Sequence, residues 1–175
     1  VNETMWVVGV LSGQSLFVHL ISMIVAGGSM SEEYEQGTAD VLLSKPITKV
    51  EYLTGKFLGG LLLLSFVEVI TTVTGVVLAY GFFGAQRDIH LVPVIFVAIV
   101  YSMLLFFSLT FMFSEVLRRS TLAMLMGFGV FVVSSIVGSY LLYLHAITHE
   151  QFYMDVSQLL PTWSATSLPT ILAAD

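Results

Sequence analysis

Four long stretches in which apolar residues run almost without charge divide this chain. From Trp6 to Ser29 there is no Asp, Glu, Lys or Arg. As a helix that stretch reaches about 36 Å, enough to cross a hydrocarbon core of about 30 Å. Phe57 to Phe83 is interrupted only by Glu68, and Leu91 to Ser114 and Leu122 to Leu144 carry no charge at all. All four are longer than the usual helix of a globular core. The pattern predicts an all-α fold, a polytopic membrane helix bundle with spans at about 6–29, 57–83, 91–114 and 122–144, forming a single transmembrane domain over 1–175. Charge is collected in a segment from 30 to 56, and a polar tail occupies 145–175.

Composition agrees with a bilayer as solvent. Hydrophobic residues make up 57% of the chain and charged ones 10%, with a mean hydropathy of +0.93, where a soluble domain carries about 25% charge. Four spans consume most of the 175 residues and leave no room in this stretch for a soluble catalytic domain. A formal charge of -6 with only six Lys and Arg argues against nucleic acid, which needs a basic stripe. The absence of cysteine excludes disulfides, thiolate catalysis and Cys-ligated zinc.

Basic residues set the orientation, because Lys and Arg beside spans are retained in the cytoplasm. Lys45, Lys49 and Lys56 lie between the first two spans and Arg118 and Arg119 between the last two, while only Arg87 lies on the other side. Both basic loops are therefore expected inside, with the Val1 end and the tail outside. One more span before Val1 and another after Asp175 would complete such a topology. The apolar run that follows Val1 is too long for a signal peptide and lacks its charged leader. A truncated N-terminus and a valine at an alternative start codon both account for Val1. In the tail, Pro161, Trp163 and Pro169 interrupt any long helix, and either a re-entrant hairpin or an external loop resting on the bilayer fits.

The segment from Ser31 to Lys56 holds five carboxylates and three lysines. Gly27 and Gly28 allow a bend out of the first span, and Ser29 with Glu32 forms a capping-box pattern from which a new helix is expected. Tyr34, Thr38, Val41 and Leu42 give that helix a narrow apolar stripe for a partner or lipid headgroups. Pro46 should stop it near Ser44. Thr48 with Glu51 is a second capping-box pattern, starting a helix that runs through Gly55 and Lys56 into the second span. A short surface helix, a proline corner and a rigid start to a span would let a push on the loop move the bundle. An ordinary solvated connection is the plainer alternative.

The run Glu33-Tyr34-Glu35-Gln36-Gly37-Thr38-Ala39-Asp40-Val41-Leu42-Leu43-Ser44-Lys45-Pro46-Ile47-Thr48-Lys49, continuing to Gly55-Lys56, resembles the cytoplasmic loop of ABC transporter permeases of the type-two exporter class. In that family the loop is a coupling helix that docks on a separate ATPase subunit, and permease halves work in pairs. The resemblance implies an ABC ATPase subunit and a second permease subunit as partners. It also implies that Glu33, Glu35, Gly37, Thr38, Asp40, Leu42, Leu43, Ser44 and Pro46 form the docking element. The family has six spans, so this chain would lack the first and last. A second, smaller contact would fall at Glu115 to Thr121, where Arg118 and Arg119 either meet acids of the ATPase or serve only topology.

Intrinsic chemistry is sparse. Gly55-Lys56 is followed by Phe57 and position 50 is Val, so there is no phosphate loop, and ATP hydrolysis is expected in another chain. His145 and His149, four apart, are a weak metal hint without an accompanying acid motif, and no metal or cofactor is expected. Glu68 is costly inside a span unless paired, neutral or facing water. Ser65, Thr72 and Gly75 share its helical face, and Ser12, Ser15, His19 and Ser22 form a second polar stripe. His19 and Glu68 stand at similar depths and either line a substrate path or act as interhelical fasteners. Ser134 with Gly138 and Ser135 with Ser139 allow close approach of another helix. An ABC permease is the reading these features favour. An ion-coupled secondary transporter using Glu68, or a scaffold recruiting a partner through Ser31 to Ser44, is the alternative.

Overall fold

The computed structural model of the chain describes residues 5–38, 48–84, 89, 92–160 and 162–163, leaving the side chains of 5–15 and 83 undescribed. Its elements are α1 (Met5–Glu35), α2 (Lys49–Phe83), α3 (Val92–Leu117), α4 (Ser120–Thr148) and α5 (Gln151–Gln158), and there is no strand among the described residues. Three of them, α2, α3 and α4, are long and apolar enough to cross a membrane. The first expected span falls within α1, a helix of 31 residues and about 46 Å.

Local sequence explains where most of these helices begin and end. Thr48 caps α2: its hydroxyl accepts from Glu51 N at 3.3 Å while the Glu51 carboxylate takes Thr48 N at 2.9 Å. That reciprocal bond is the expected capping box, and the helix runs unbroken through Lys56 into the apolar stretch. At 35 residues, or about 52 Å, α2 outruns the hydrocarbon core, so its first two turns have room to stay polar. Arg118 takes a left-handed backbone with φ 53°, reversing the chain in two residues between α3 and α4.

One expectation is overturned. No new helix starts at Ser29, because α1 continues through Gly27 and Gly28 to Glu35. The Ser29 hydroxyl does not cap; it donates back to Ala26 O at 3.0 Å. Gly27 serves close approach instead, since a Cβ there would run into the Met124 side chain of α4. The helix ends at Glu35 and the chain turns at Gly37, whose φ of 70° suits a residue without Cβ, with Gln36 N bonded to Glu32 O at 2.9 Å. The expected stop near Ser44 and the proline corner at Pro46 lie outside the described residues.

Two serine contacts fix the register. His19 meets Ser102, and Ser31 meets Ser114, both with a sequence separation of 83, so α1 and α3 run parallel. Lys56 reaches Ser29 O and Gly60 faces Phe107, which sets α2 antiparallel to both. Gly127 abuts Thr110 so closely that a Cβ would overlap its side chain, holding α4 antiparallel to α3. The core between them is Val18, Ala26, Met30, Leu64, Ile95, Ile99, Met103, Phe107 and Phe111. Outward surfaces are apolar too: Leu62, Val77 and Phe82 of α2 are all more than half exposed, as suits lipid rather than water.

Candidate functional site

Helix ends gather at one end of the bundle, and charge ties them together. The last turns of α1 carry Glu33, Tyr34 and Glu35. Carboxylates there oppose the helix dipole, so each needs a cation or a donor. Lys56 of α2 supplies the first, its ammonium meeting Glu33 Oε1 and Ser29 O. Glu35 finds the opposite end of a different dipole: its Oε1 accepts from Ser120 N, the first residue of α4, at 2.8 Å. Arg119, the residue before that helix, makes no side-chain cap of its own, so α1 caps α4. Lys49 of α2 meets Glu115 of α3 at 2.7 Å. The Tyr34 hydroxyl donates to the same carboxylate at 3.2 and 3.3 Å, and the Arg118 guanidinium lies 4.8 Å over its ring. Burial, then the Glu115 charge, pushes the Tyr34 phenol above its ordinary pKa.

Beneath this layer sits a clasp of hydroxyls. Ser114 Oγ accepts from Ser31 N at 3.0 Å and Met30 N at 3.4 Å and donates to Gly27 O at 2.9 Å. Ser31 N and Gly27 O are the pair that bond each other in an uninterrupted α-helix, so the α3 hydroxyl is inserted into the backbone ladder of α1. Ser31 Oγ returns a bond to Ser114 O at 2.9 Å. Both serines are fully buried.

A second polar layer crosses the middle of the bundle. His19 and Glu68 are completely buried. His19 Nε2 lies 2.7 Å from Ser102 Oγ, and its ring stacks near Phe131 and meets the edge of Phe106. Glu68 accepts from Thr72 Oγ1 at 3.2 Å and Thr71 Oγ1 at 3.4 Å, one turn on along its own helix. Counting from the Gly60–Phe107 contact, Glu68 stands level with Ile99, about one turn from Ser102. The two ionisable groups thus share a depth in the bundle. At the same level, Ser134 Oγ and Thr162 Oγ1 meet at 2.9 Å, both buried. Ser134 lies about 21 Å from the Thr148 end of α4, so the tail after α5 turns back to mid-bundle, and Leu160 and Thr162 pack beside Gly138. The close approach expected at Ser134 and Gly138 is made by the tail.

The residues singled out in the sequence fall into three groups. Glu33, Glu35 and Arg118 are brought together at the helix ends. Arg119, Gly37 and Thr38 are exposed at their margin, Thr38 Oγ1 bonding back to Glu33 O at 3.3 Å. Asp40, Leu42, Leu43, Ser44 and Pro46 lie outside the described residues. His145 is occupied locally, its Nδ1 donating to Glu150 O at 2.8 Å. Sequence reasoning passed over Ser114, Ser102 and Thr110. Their spacing of four and eight on one helix, a small polar stripe in an uncharged span, was the available signal.

Two of the three comparisons with known proteins found nothing: no curated protein and no solved structure matches the chain. The family described as ABC-2 family transporter protein matches residues 7–173. The chain belongs to that family, and its apolar helices make it a membrane-spanning transport permease.

Proposed function

We propose that this ABC-2 family chain is the permease component of an ATP-driven export system, coupling ATP hydrolysis in a separate subunit to substrate movement. In this reading four helices, α1 to α4, cross the membrane with the 30–56 loop in the cytoplasm. The ATPase docks on the segment from Glu33 to Pro46, Arg118 and Arg119 flank the contact, and a second permease subunit completes the path. His19 and Glu68 line that path at mid-membrane depth.

The observation that carries the proposal is the fastening of the loop's two ends. Glu33, Ser31 and Glu35 on one side and Lys49 and Lys56 on the other are bonded to α2, α3 and α4. A load on the loop therefore reaches every long helix through short polar contacts, without passing through the soft apolar core. Contiguous contacts of this kind are what carry coupling between distant sites.

Co-purification with a candidate ABC ATPase subunit tests the proposal. The wild type should retain that subunit and stimulate its hydrolysis, and replacing Asp40 to Pro46 with a Gly/Ser linker should abolish both. Retained assembly and normal stimulation after the replacement would overturn the docking role. Glu68→Gln should leave assembly intact and impair transport; unimpaired transport would remove Glu68 from the path.

A further inference from the structure

A groove of about 620 Å³ opens between the end of α1 and the start of α2, lined by Ser29, Glu51, Tyr52, Lys56, Gly59 and Leu63 among others. Its volume suits a small ligand, and its lining changes character along α2. Glu51, Tyr52 and Lys56 form one end. Below Lys56, where the helix turns apolar, the wall is Gly59, Gly60 and Leu63. Gly55 and Gly59 are exposed, with nothing within 4 Å of the place a Cβ would occupy, so the missing side chains leave a furrow along the helix. Gly60 is different, filled by Phe107.

The polar end is incompletely satisfied. An ammonium has three donors, and Lys56 spends two on Ser29 O and Glu33 Oε1. The Tyr52 hydroxyl and Glu33 Oε2 are shielded from solvent without a partner, which costs each about 1–3 kcal/mol unless something supplies one. The remaining donor of Lys56 and the exposed carboxylate of Glu51 stand at the mouth, with the Tyr52 hydroxyl shielded behind them. Glu33, Glu51 and Lys56 together carry one net negative charge, so a net anion is disfavoured there.

We infer that the groove binds a zwitterionic glycerophospholipid with an ethanolamine-type head group. Its phosphodiester accepts from Lys56, its ammonium faces Glu51, and an acyl chain lies in the Gly55–Gly59 furrow. The polarity boundary of such a lipid coincides with the boundary at Lys56 and Phe57, whereas a helix of another chain would have to bring a matched polar turn to that level. The inference requires only that α2 lie in a bilayer, so it stands or falls separately from the coupling reading of the loop.

Photolabelling in vesicles tests it. The protein is reconstituted into phosphatidylcholine vesicles containing a trace of phosphatidylethanolamine with a diazirine in its acyl chain, and adducts are mapped by peptide mass spectrometry. Labelling is expected between Tyr52 and Leu63 and should be competed by unlabelled phosphatidylethanolamine but not by phosphatidylglycerol. Gly59→Leu fills the furrow without a clash and should cut labelling about tenfold, the equivalent of two lost methylene contacts. Lys56→Gln removes the ammonium and should weaken competition about threefold. Undiminished labelling in Gly59→Leu, equal competition by phosphatidylglycerol, or cross-linking of this stretch to another polypeptide in place of lipid would overturn the inference.

Discussion

The two polar layers of this bundle use similar residues in different ways. At the loop end, charges meet between helices: Lys56 with Glu33, Lys49 with Glu115, Glu35 with the start of α4. At mid-bundle two fully buried ionisable groups take hydroxyl partners, His19 meeting Ser102 and Glu68 meeting threonines of its own helix. Dielectric accounts for the difference. Near headgroups an ion pair is cheap to hydrate and modest in value, while in hydrocarbon an ionisable group is costly unless its neighbours satisfy it. The loop end is held by charge between helices, and the middle by hydrogen bonds among buried polar side chains.

Substitutions can break this contrast in order of size. Gly127→Leu should have the largest effect, because its side chain would enter Thr110 and force α3 from α4 between the two layers, at about 3 kcal/mol. Loss of folded protein by size-exclusion chromatography would register it. Ser114→Ala removes three hydrogen bonds of the clasp and should cost about 2 kcal/mol, with faster amide exchange confined to Gly27–Glu35. Exchange spreading equally to His19 would mean the layers are one cooperative unit. Ser134→Ala should cost about 1 kcal/mol and free the tail alone, read as faster proteolysis after α5. Glu115→Gln should be smallest, below about 1 kcal/mol and shrinking with salt. It should also bring the Tyr34 phenol back towards the ordinary tyrosine range, followed by phenolate absorbance, since the Glu115 charge helps to raise it.

How much was legible beforehand follows the same division. Apolar runs foretold α2, α3 and α4, and Thr48 with Glu51 foretold where α2 starts, because those signals are local. Gly27 and Gly28 misled for the converse reason. Glycine's freedom suggests a bend, but Met124 and the inserted Ser114 hydroxyl need a close, continuous helix there, and tertiary contact decided. The register of 83 between α1 and α3 could not be read at all. In a lipid solvent every face of a helix is apolar, so periodicity no longer marks the inner side; only the buried serines do. That Lys56 and Ser120 stand beside Glu33 and Glu35 was not legible either, because contacts between distant segments leave no local signal.

The chain has no cysteine, which makes single-cysteine cross-linking across the loop the most direct test of the central claim. Leu42→Cys is introduced alone, the permease is reconstituted with a candidate ABC ATPase subunit, and a short bifunctional maleimide is added with and without ATP. Docking predicts a cross-link to the ATPase whose yield changes with nucleotide, and none from a cysteine placed at the far end of α4. A transport-competent complex in which Leu42→Cys never joins the ATPase would contradict it.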